Sequence, residues 1–523
     1  MESMHTPKLR RTRFLLGALV WLGASACHGP DDGPPPCEGV DCPVPVEGLA
    51  RAFEPDALSS RVEPRASFGG LKVRRAAGRT FVLETTRDAQ GHDTRRLTAR
   101  AADGTLRWRV EAAAGEHFSD FTVHPSGALT LGVERTDAEA GAFDLLRISA
   151  EGQVLARQPL PVSSTLPASD LGGTLLPSPF RMKSSWAHAL ADGWLRTEAR
   201  GEDVAVAFLS LVAVAEGASN TSELASGLMT LQWVDGRYQE QWTRVVDGRH
   251  STQPAAWAYD EFRWREATLR PLLAVEGDGR LVVGRTWNTS RCQASSRTFN
   301  DFTSLHCRTS TDVTYPVDTE RQAFAVTTFT PEGVRTGTRA FIADAAAEFV
   351  VFDMAVRGGE LALAGTIVTE SADGTIPYYP SAPGVQDRMT PYDGYLAVLS
   401  LDTGLLRFEH RVDTGRADHF SALRWTDAGL LAVGGAGWDR WYGGMSISRG
   451  AGALLALASN DGQTVRTQRP GVEGKDRHFH LLGVDADGET LVAVGLAEAP
   501  MTHAGDGGNR AAMTFGGLTV ESR

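Results

Sequence analysis

The chain has 523 residues, of which 42% are hydrophobic and 22% are charged, and its formal net charge is −12. This length exceeds that of one ordinary domain, yet no long polar linker divides the sequence, so either several domains abut or one large repetitive domain fills the chain. An acidic chain lacks the basic footprint that nucleic-acid phosphates require, so we expect no nucleic-acid partner.

The N-terminus has the pattern of an export signal. Four basic residues lie between Lys8 and Arg13, and an apolar run follows from Phe14 to Ala26. This run has the length of a signal-peptide core and is shorter than the roughly 20 residues of a membrane-spanning helix. We therefore predict a signal peptide over residues 1–26.

The end of that run, "LGASAC", resembles the lipobox of bacterial lipoproteins, with small residues directly before Cys27. The resemblance implies cleavage before Cys27, lipidation of its sulfur, and attachment to the bacterial cell envelope through the lipid anchor only. His28 stands where some lipoproteins retained at the inner membrane have Asp, which favours the outer membrane. Residues 27–48 are rich in Pro and Gly, as expected of an extended tether.

The chain has five cysteines. With Cys27 assigned to the lipid, Cys37 pairs with Cys42 and Cys292 with Cys307, since each pair is close in sequence and an oxidising compartment permits disulfides. The alternative is metal binding, but these spacings lack the CxxC and His partners of a zinc site. We predict two disulfides, no metal site and no cofactor.

Two kinds of β-hairpin alternate along the rest of the chain, each with two alternating strands around a Gly-containing turn. Copies of the first kind begin at Gly70, Phe118, Ser185, Pro271, Phe349, His419 and His478. Copies of the second kind begin at Arg95, Phe143, Leu228, Phe324, Tyr395 and Leu454. Two hairpins make a four-stranded unit, and the radial repetition of such units is typical of a β-propeller. A stack of sandwich domains would show no common unit.

We therefore predict an all-β fold over residues 49–523, a β-propeller of seven four-stranded blades. The seventh blade has only the stretch Ala511 to Val520 for its second half. Because closure of the ring hides strand edges, we expect the N-terminal segment between about Val44 and Ser67 to pair with the C-terminal one. The third blade, roughly Ser185 to Val246, has the weakest pattern, although its run from Val204 to Ala215 fits a buried strand.

The segment from Asp393 to Ala497 resembles the bacterial seven-bladed β-propeller repeat found in secreted and surface proteins. The stretch "DGYLAVLSLDTGLLRFEHRVDTGRADHFSALRWTDAGLLAVGG" contains its pattern of Asp, a short strand, an Asp and Gly turn, an aromatic residue and a strand that ends in Gly. The resemblance implies the fold and export. It implies no activity, because propellers include binding modules, scaffolds and enzymes.

The sequence leaves enzymatic activity uncertain and predicts no catalytic residue. It contains no GxSxG, HExxH, phosphate-loop or CxxCH motif. Two alternatives stay open. The repeats "AADGTLRW" and "LDTGLLRF" also resemble those of quinoprotein propellers. His117, His419 and His478 begin corresponding hairpins, with His480 two residues further on, and could converge on a metal at the axis.

Four long segments separate the hairpins and are expected at one face of the ring: residues 246–270, 288–322, 369–394 and 436–452. They are rich in aromatic residues, which on loops of a rigid scaffold form binding sites for sugars and proteins. The candidate ligand-binding residues are Trp257, Tyr259, Trp264, Tyr378, Tyr379, Tyr392, Trp438, Asp439, Arg440, Trp441 and Tyr442. The alternative of equal weight is that these aromatic residues only pack the loops onto the ring.

The leading functional hypothesis is a non-enzymatic, lipid-anchored propeller that binds an envelope protein or a glycan. The second hypothesis is an outer-membrane assembly scaffold, similar to the lipoprotein propeller of the barrel assembly machinery. An extracytoplasmic hydrolase or quinoprotein is the third. A scaffold would dock through strand edges or an apolar patch, and an enzyme through ionisable groups near the axis.

Overall fold

Strands account for nearly all of the structure in the computed structural model, which has one 3-10 helix, η1 (Gly48–Phe53), among its described residues. The described residues are 48–53, 57–62, 68–87, 93–135, 143–160, 174–175, 195–216, 219–251, 271–288, 322–341, 346–369, 392–414, 418–436, 452–470, 478–488, 490–498 and 515–522. All of them belong to the compact unit Glu47–Arg523. Within these ranges no helix is long and apolar enough to span a membrane.

The described strands form seven antiparallel sheets, each built from hairpins in chain order. Blade 1 has β2 (Gly69–Ala76), β3 (Arg79–Arg87), β4 (Asp93–Ala101) and β5 (Leu106–Glu111). Blade 2 has β6 (Glu116–Val123), β7 (Leu129–Arg135), β8 (Phe143–Ile148) and β9 (Val154–Pro159). Blade 3 has β11 (Leu195–Arg200), β12 (Asp203–Glu216), β13 (Ser219–Val234) and β14 (Arg237–Ser251), with the short β10 (Thr174–Leu175) beside β12.

The remaining blades follow the same order. Blade 4 has β15 (Leu272–Val275), β16 (Leu281–Asn288), β17 (Gln322–Phe329) and β18 (Arg335–Phe341). Blade 5 has β19 (Ala346–Arg357), β20 (Glu360–Thr369), β21 (Tyr392–Ser400) and β22 (Leu406–Val412). Blade 6 has β23 (Asp418–Thr426), β24 (Gly429–Ala436), β25 (Gly452–Ala458) and β26 (Val465–Gln468). Blade 7 has β27 (His478–Asp487), β28 (Thr490–Glu498), β29 (Phe515–Ser522) and β1 (Leu58–Val62).

Blade 7 is closed by both ends of the chain, as predicted. Strand β1 pairs antiparallel with β29, and Leu58 lies opposite Ser522 while Val62 lies opposite Leu518. The N-terminal strand is therefore the outermost strand of the last blade. The prediction of an all-β propeller with seven four-stranded blades is confirmed.

The core lies between the blades because each sheet buries apolar side chains on both of its faces. In the described part of the chain, every pair of neighbouring blades shares an apolar cluster. Between blades 1 and 2 the cluster contains Phe81, Phe118 and Phe121. Between blades 7 and 1 it contains Val73 and Val494, which completes the ring.

The first hairpin of blade 3 lies further along the chain than the sequence predicted. Its turn is at Gly201, whose φ of +63° is in the left-handed region, and its strands are β11 and β12. The sequence predicts this hairpin from Ser185, and residues 185–194 lie outside the described part of the chain. A glycine next to an acidic residue occurs both at Asp192–Gly193 and at Gly201–Glu202, so the local pattern does not distinguish the two turns. The prediction of a strand from Val204 to Ala215 agrees with β12.

The outermost strands of three blades contact the next blade through an aromatic residue. Trp108 of β5 packs against Gly152 in the outer turn of blade 2, and its Nε1 donates to the Ala150 carbonyl at 2.9 Å. Two further contacts have the same geometry: Trp242 against Gly333, and Phe408 against Gly462. A glycine is required there because a Cβ would overlap the ring.

A buried polar network joins blades 2 and 3. The Nδ1 of His124 lies 2.8 Å from the Gly201 carbonyl and its Nε2 lies 2.7 Å from the Thr130 hydroxyl, which also bonds to the Tyr238 hydroxyl. Burial lowers the pKa of His124 to about 4, so the ring is neutral near pH 7. Since a carbonyl only accepts, Nδ1 donates to Gly201 and Nε2 accepts from Thr130.

Candidate functional site

The innermost strands of five blades carry a register shift at the same place among the described pairs. The bulged residues are Leu71, Ser119, Phe352, Ser421 and Leu482. A bulge places two residues opposite one and re-aims the side chains that follow, and bulges are frequent beside functional sites. Here they help to present polar side chains toward the axis.

A cavity of about 80 Å³ lies at the axis, lined by residues from the innermost strands of all seven blades. Blade 4 contributes the apolar pair Leu272 and Leu273, whereas most of the other blades contribute charged or polar groups. Five basic and three acidic residues line this axial cavity, which gives it a formal charge of +2. They are Lys72, Arg74, Arg95, Arg196 and Arg424, with Asp120, Glu198 and Asp353.

Asp120 is the centre of the ionic contacts on one side of the cavity. Its Oδ1 lies 2.6 Å from Lys72 Nζ and 3.4 Å from Arg196 Nη1, and its Oδ2 accepts the Thr197 N–H at 2.8 Å. Burial opposes ionisation, but the Lys72 and Arg196 charges hold the pKa of Asp120 below its usual value. Burial also lowers the pKa of Lys72, and Asp120 offsets part of that effect. Asp120 is therefore a carboxylate.

Glu198 is less well compensated. Its Oε1 lies 3.9 Å from Lys72 Nζ and 3.7 Å from Arg74 Nη2, both beyond hydrogen-bond distance. Burial raises the pKa of Glu198, although the two cations oppose this effect.

Asp353 and Asp485 each accept a backbone N–H of the next blade, as Asp120 does. Asp353 Oδ2 accepts the Leu423 N–H at 2.9 Å, and Asp485 Oδ2 accepts the Arg75 N–H at 2.6 Å. Burial raises the pKa of both carboxyl groups. In each case an aspartate on one innermost strand bonds to the backbone of the next blade, so these residues fix neighbouring blades to each other.

Three arginines of the cavity make one or no side-chain hydrogen bond to described residues. Arg74 makes one side-chain hydrogen bond among the described residues, to the Val73 carbonyl at 2.9 Å. Arg196 and Arg424 make no side-chain hydrogen bond to any described residue, and Arg424 Nε lies 3.8 Å from Asp485 Oδ1. Because a guanidinium has five N–H donors, the cavity can donate several hydrogen bonds to a ligand.

The predicted ligand-binding residues lie almost entirely outside the described part of the chain. Only Tyr392 belongs to a described strand, as the first residue of β21 opposite Val368. The other ten are Trp257, Tyr259, Trp264, Tyr378, Tyr379, Trp438, Asp439, Arg440, Trp441 and Tyr442, and the five cysteines Cys27, Cys37, Cys42, Cys292 and Cys307 are outside as well. These assignments stay predictions.

Carboxyl groups lie at the strand ends that flank two of the aromatic segments. Asp393 follows Tyr392 in β21, and Asp418 begins β23. Burial, together with the nearby Asp413 and Asp418, raises the pKa of Asp393 to about 6. The strand ends at Tyr392 and at Ala436 therefore lie at an acidic edge between blades 5 and 6.

The sequence predicts that His117, His419 and His478 occupy corresponding positions, and this is correct for His117 and His419 only. In blade 7 the corresponding residue is His480, because His117, His419 and His480 each lie two residues before the bulged residue, whereas His478 lies two residues earlier. Burial lowers the pKa of His419 to about 4, and its ring lies edge-on to Phe352 with centroids 6.1 Å apart. Among the described residues no group of three or more His, Cys, Asp or Glu side chains is arranged to hold a metal ion.

The axial charged residues were missed by the sequence prediction. Their signal was present, since Asp120 and Asp353 interrupt the apolar runs "HFSDFTV" and "FVVFDMAV", each beside an aromatic residue. Each interruption alone fits an ordinary strand. Asp120 and Asp353 come to line one cavity only because the blades close into a ring.

No family model matches the chain, and no curated protein does. Solved structures give weak similarities. The β-propeller domain of the Trilobed protease from Pyrococcus furiosus is 8% identical, with 83% of this chain and 92% of that one covered and a TM-score of 0.35. A member of the duf4221 family from Bacteroides vulgatus is 8% identical, with 73% and 93% covered and a TM-score of 0.32.

A protein of unknown function from Bacteroides caccae is 11% identical, with 67% of this chain and 82% of that one covered and a TM-score of 0.28. The acylaminoacyl peptidase of Pyrococcus horikoshii is 9% identical with a TM-score of 0.39, and the match covers 83% of this chain but about half, 51%, of the peptidase. At these scores the neighbours say nothing about activity.

Proposed function

We propose that the protein is a non-enzymatic binding propeller at the bacterial envelope, anchored through lipid on Cys27, that binds a protein or glycan partner through the face with the long segments and through the axial cavity. The observation that supports binding most directly is the axial cavity. Its side chains come from seven blades, and Arg196 and Arg424 make no side-chain hydrogen bond to any described residue. Ligand sites in proteins are concave and combine apolar walls with a few convergent polar groups. Ionisable groups near the axis would also suit the third hypothesis, an enzyme, but two of the three acids in the cavity, Asp120 and Asp353, are bonded to backbone N–H groups of the next blade.

The proposed partner also contacts the aromatic segments. Residues 370–391 and 437–451 follow strands of blades 5 and 6 that end on the same side of the ring, as the pairs Val368 with Tyr392 and Ala436 with Gly452 indicate. In this proposal Trp438 and Trp441 supply flat apolar surface, and the acidic edge at Asp393 supplies hydrogen-bond acceptors. Aromatic rings offer a large contact area at low entropic cost.

A second candidate is an envelope assembly scaffold, and one observation favours it. Large apolar side chains are exposed by 44% to 67% on or next to the outermost strands of blades 1, 2, 4 and 5. They are Leu106, Val154, Leu155, Val334, Leu405 and Leu406. Exposed strand edges with apolar side chains are suited to protein docking.

Capture of partners from solubilised envelopes separates the two candidates. If the face with the long segments binds the partner, Trp438→Ala and Trp441→Ala should each weaken binding by about 2 kcal/mol, as at interface hot spots, with the melting temperature nearly unchanged. The matched control is Leu405→Ser with Leu406→Ser, which should leave capture intact. Loss of capture in the control but not in the tryptophan variants would favour the scaffold and contradict the binding proposal.

A further inference from the structure

We propose that the axial cavity binds a carboxylate group of the protein or glycan partner, held by the guanidinium groups of Arg74, Arg196 and Arg424. This inference rests on the proposed binding function and names the chemical group that the site recognises. It is carried by three observations: the charge of the lining, the unused donors, and the way in which the acidic residues are already bonded.

The charge of the axial cavity is opposite to that of the protein. Its lining has a formal charge of +2, whereas the whole chain has −12. Solvent reaches the cations, because the side chains of Lys72, Arg74, Arg196 and Arg424 are between 13% and 24% exposed. A positive site in an otherwise acidic surface selects anions, since low-dielectric walls strengthen the local field.

The acidic residues of the site do not satisfy the arginines. Asp120 and Asp353 each direct one carboxylate oxygen to a backbone N–H of the next blade, at 2.8 Å and 2.9 Å. The shortest contact between Arg196 and Asp120 is 3.4 Å and does not form a hydrogen bond. Solvent reaches these guanidinium groups, so their N–H donors are accessible to a ligand that displaces water. A ligand with two acceptor oxygens would replace that water with two charge-assisted hydrogen bonds.

The shape of the donor groups favours a carboxylate over a phosphate. The lining has a net formal charge of +2 and attracts either anion, so charge does not decide between them. A planar carboxylate matches the fork of a guanidinium and accepts two parallel hydrogen bonds. The cavity volume of about 80 Å³ suits such a group rather than a whole sugar or peptide.

The test measures binding of acetate to the full protein by calorimetry or ligand-observed NMR, with acetamide as its neutral counterpart of the same shape and with inorganic phosphate as the dianion. Acetate should bind saturably, acetamide should not, and phosphate should bind more weakly. Arg196→Gln and Arg424→Gln should each raise the acetate Kd at least tenfold. Arg196→Lys keeps the positive charge but loses the planar pair of N–H donors, so it should raise the acetate Kd less than Arg196→Gln does.

Arg109→Gln is the matched control, because Arg109 lies on the outermost strand β5 with its side chain 57% exposed. It should leave the acetate Kd unchanged. Equal binding of acetate and acetamide, tighter binding of phosphate than of acetate, or wild-type acetate binding by a folded Arg196→Gln protein would each overturn the inference. If acetate fails to bind while tryptophan-dependent capture of an envelope partner persists, this inference falls and the proposed function stands.

Discussion

Replacement of Gly152 by alanine should destabilise the ring far more than the same replacement at Gly104. Both glycines stand in the outer turn of a blade with a left-handed backbone, at φ of +88° and +80°. An alanine there costs about 1–2 kcal/mol from backbone strain alone. At Gly104 nothing lies within 4 Å of an added Cβ, whereas at Gly152 the Cβ would lie 2.5 Å from Trp108 Cγ.

The additional cost at Gly152 can be worked out from the contact that it breaks. Overpacking a site of this kind costs about 1–3 kcal/mol, and displacement of Trp108 loses its hydrogen bond to Ala150, which contributes about 1 kcal/mol. We therefore expect a loss of about 3–6 kcal/mol for Gly152→Ala and about 1–2 kcal/mol for Gly104→Ala.

Urea unfolding followed by tryptophan fluorescence and circular dichroism measures both variants. A double-mutant cycle completes the test, because Trp108→Ala removes the ring and leaves only the Cβ, 2.9 Å from the added Cβ, so Gly152→Ala should cost much less in that background than in the wild-type protein. Equal destabilisation by the two glycine variants, or full additivity in the cycle, would refute the contact as the reason for this glycine.

Three further predictions concern closure, pH and anchoring. Ser59→Cys with Glu521→Cys should form a disulfide, since the two residues are register partners in β1 and β29, and the absence of a cross-link in folded protein by mass spectrometry would contradict ring closure. Burial lowers the pKa of His124 and His419 to about 4, below the ordinary value of about 6.5 in an unfolded chain. Their contribution to stability is therefore present above about pH 6.5 and is lost as the pH falls toward 4. His124→Gln should make Tm fall less steeply over that pH range, and an unchanged pH profile of Tm would count against a buried neutral His124 ring. Cys27→Ala should move the protein from the membrane fraction to the soluble fraction, and its retention in washed membranes would exclude the lipid anchor.

The repeat of hairpins was readable in the sequence because its determinants are local. A turn such as Asp103 with Gly104 needs a left-handed glycine, and the alternation of apolar residues on either side follows from burial of both faces of each sheet. Closure was predictable as well, since an incomplete last blade requires a strand from the other end of the chain. The location of that strand, Leu58–Val62, lies within the predicted segment.

The axial site could not be predicted in the same way. Lys72, Asp120 and Arg196 are far apart in sequence, and each looks like the polar position of an ordinary strand. The bulges that orient these side chains add one residue to one strand of a pair. The local amino-acid composition does not predict where such a bulge occurs. The histidine register was misjudged for the same reason, because the hairpin starts align His478 whereas the bulge aligns His480 with His117.

The junction of blades 7 and 1 connects closure of the ring to the axial site. Here two inner strands approach closely, since a Cβ on Gly483 would lie 2.9 Å from Lys72 Cα. The apolar cluster between these blades contains only Val73, Val82, Val492 and Val494 among the described residues. This cluster has fewer residues than those between the other blades, and close strand packing and polar contacts add to it.

Two hydrogen bonds from Arg75 cross that junction among the described residues: its N–H donates to Asp485 Oδ2 at 2.6 Å and its Nη1 donates to the Thr490 carbonyl at 3.0 Å. The other Asp485 oxygen lies 3.8 Å from Arg424 Nε. Separation of blades 7 and 1 would move Arg74 away from Arg424 and open the axial cavity. Strand β1 opposes such opening because it completes blade 7 from the N-terminal side, directly before β2 begins blade 1.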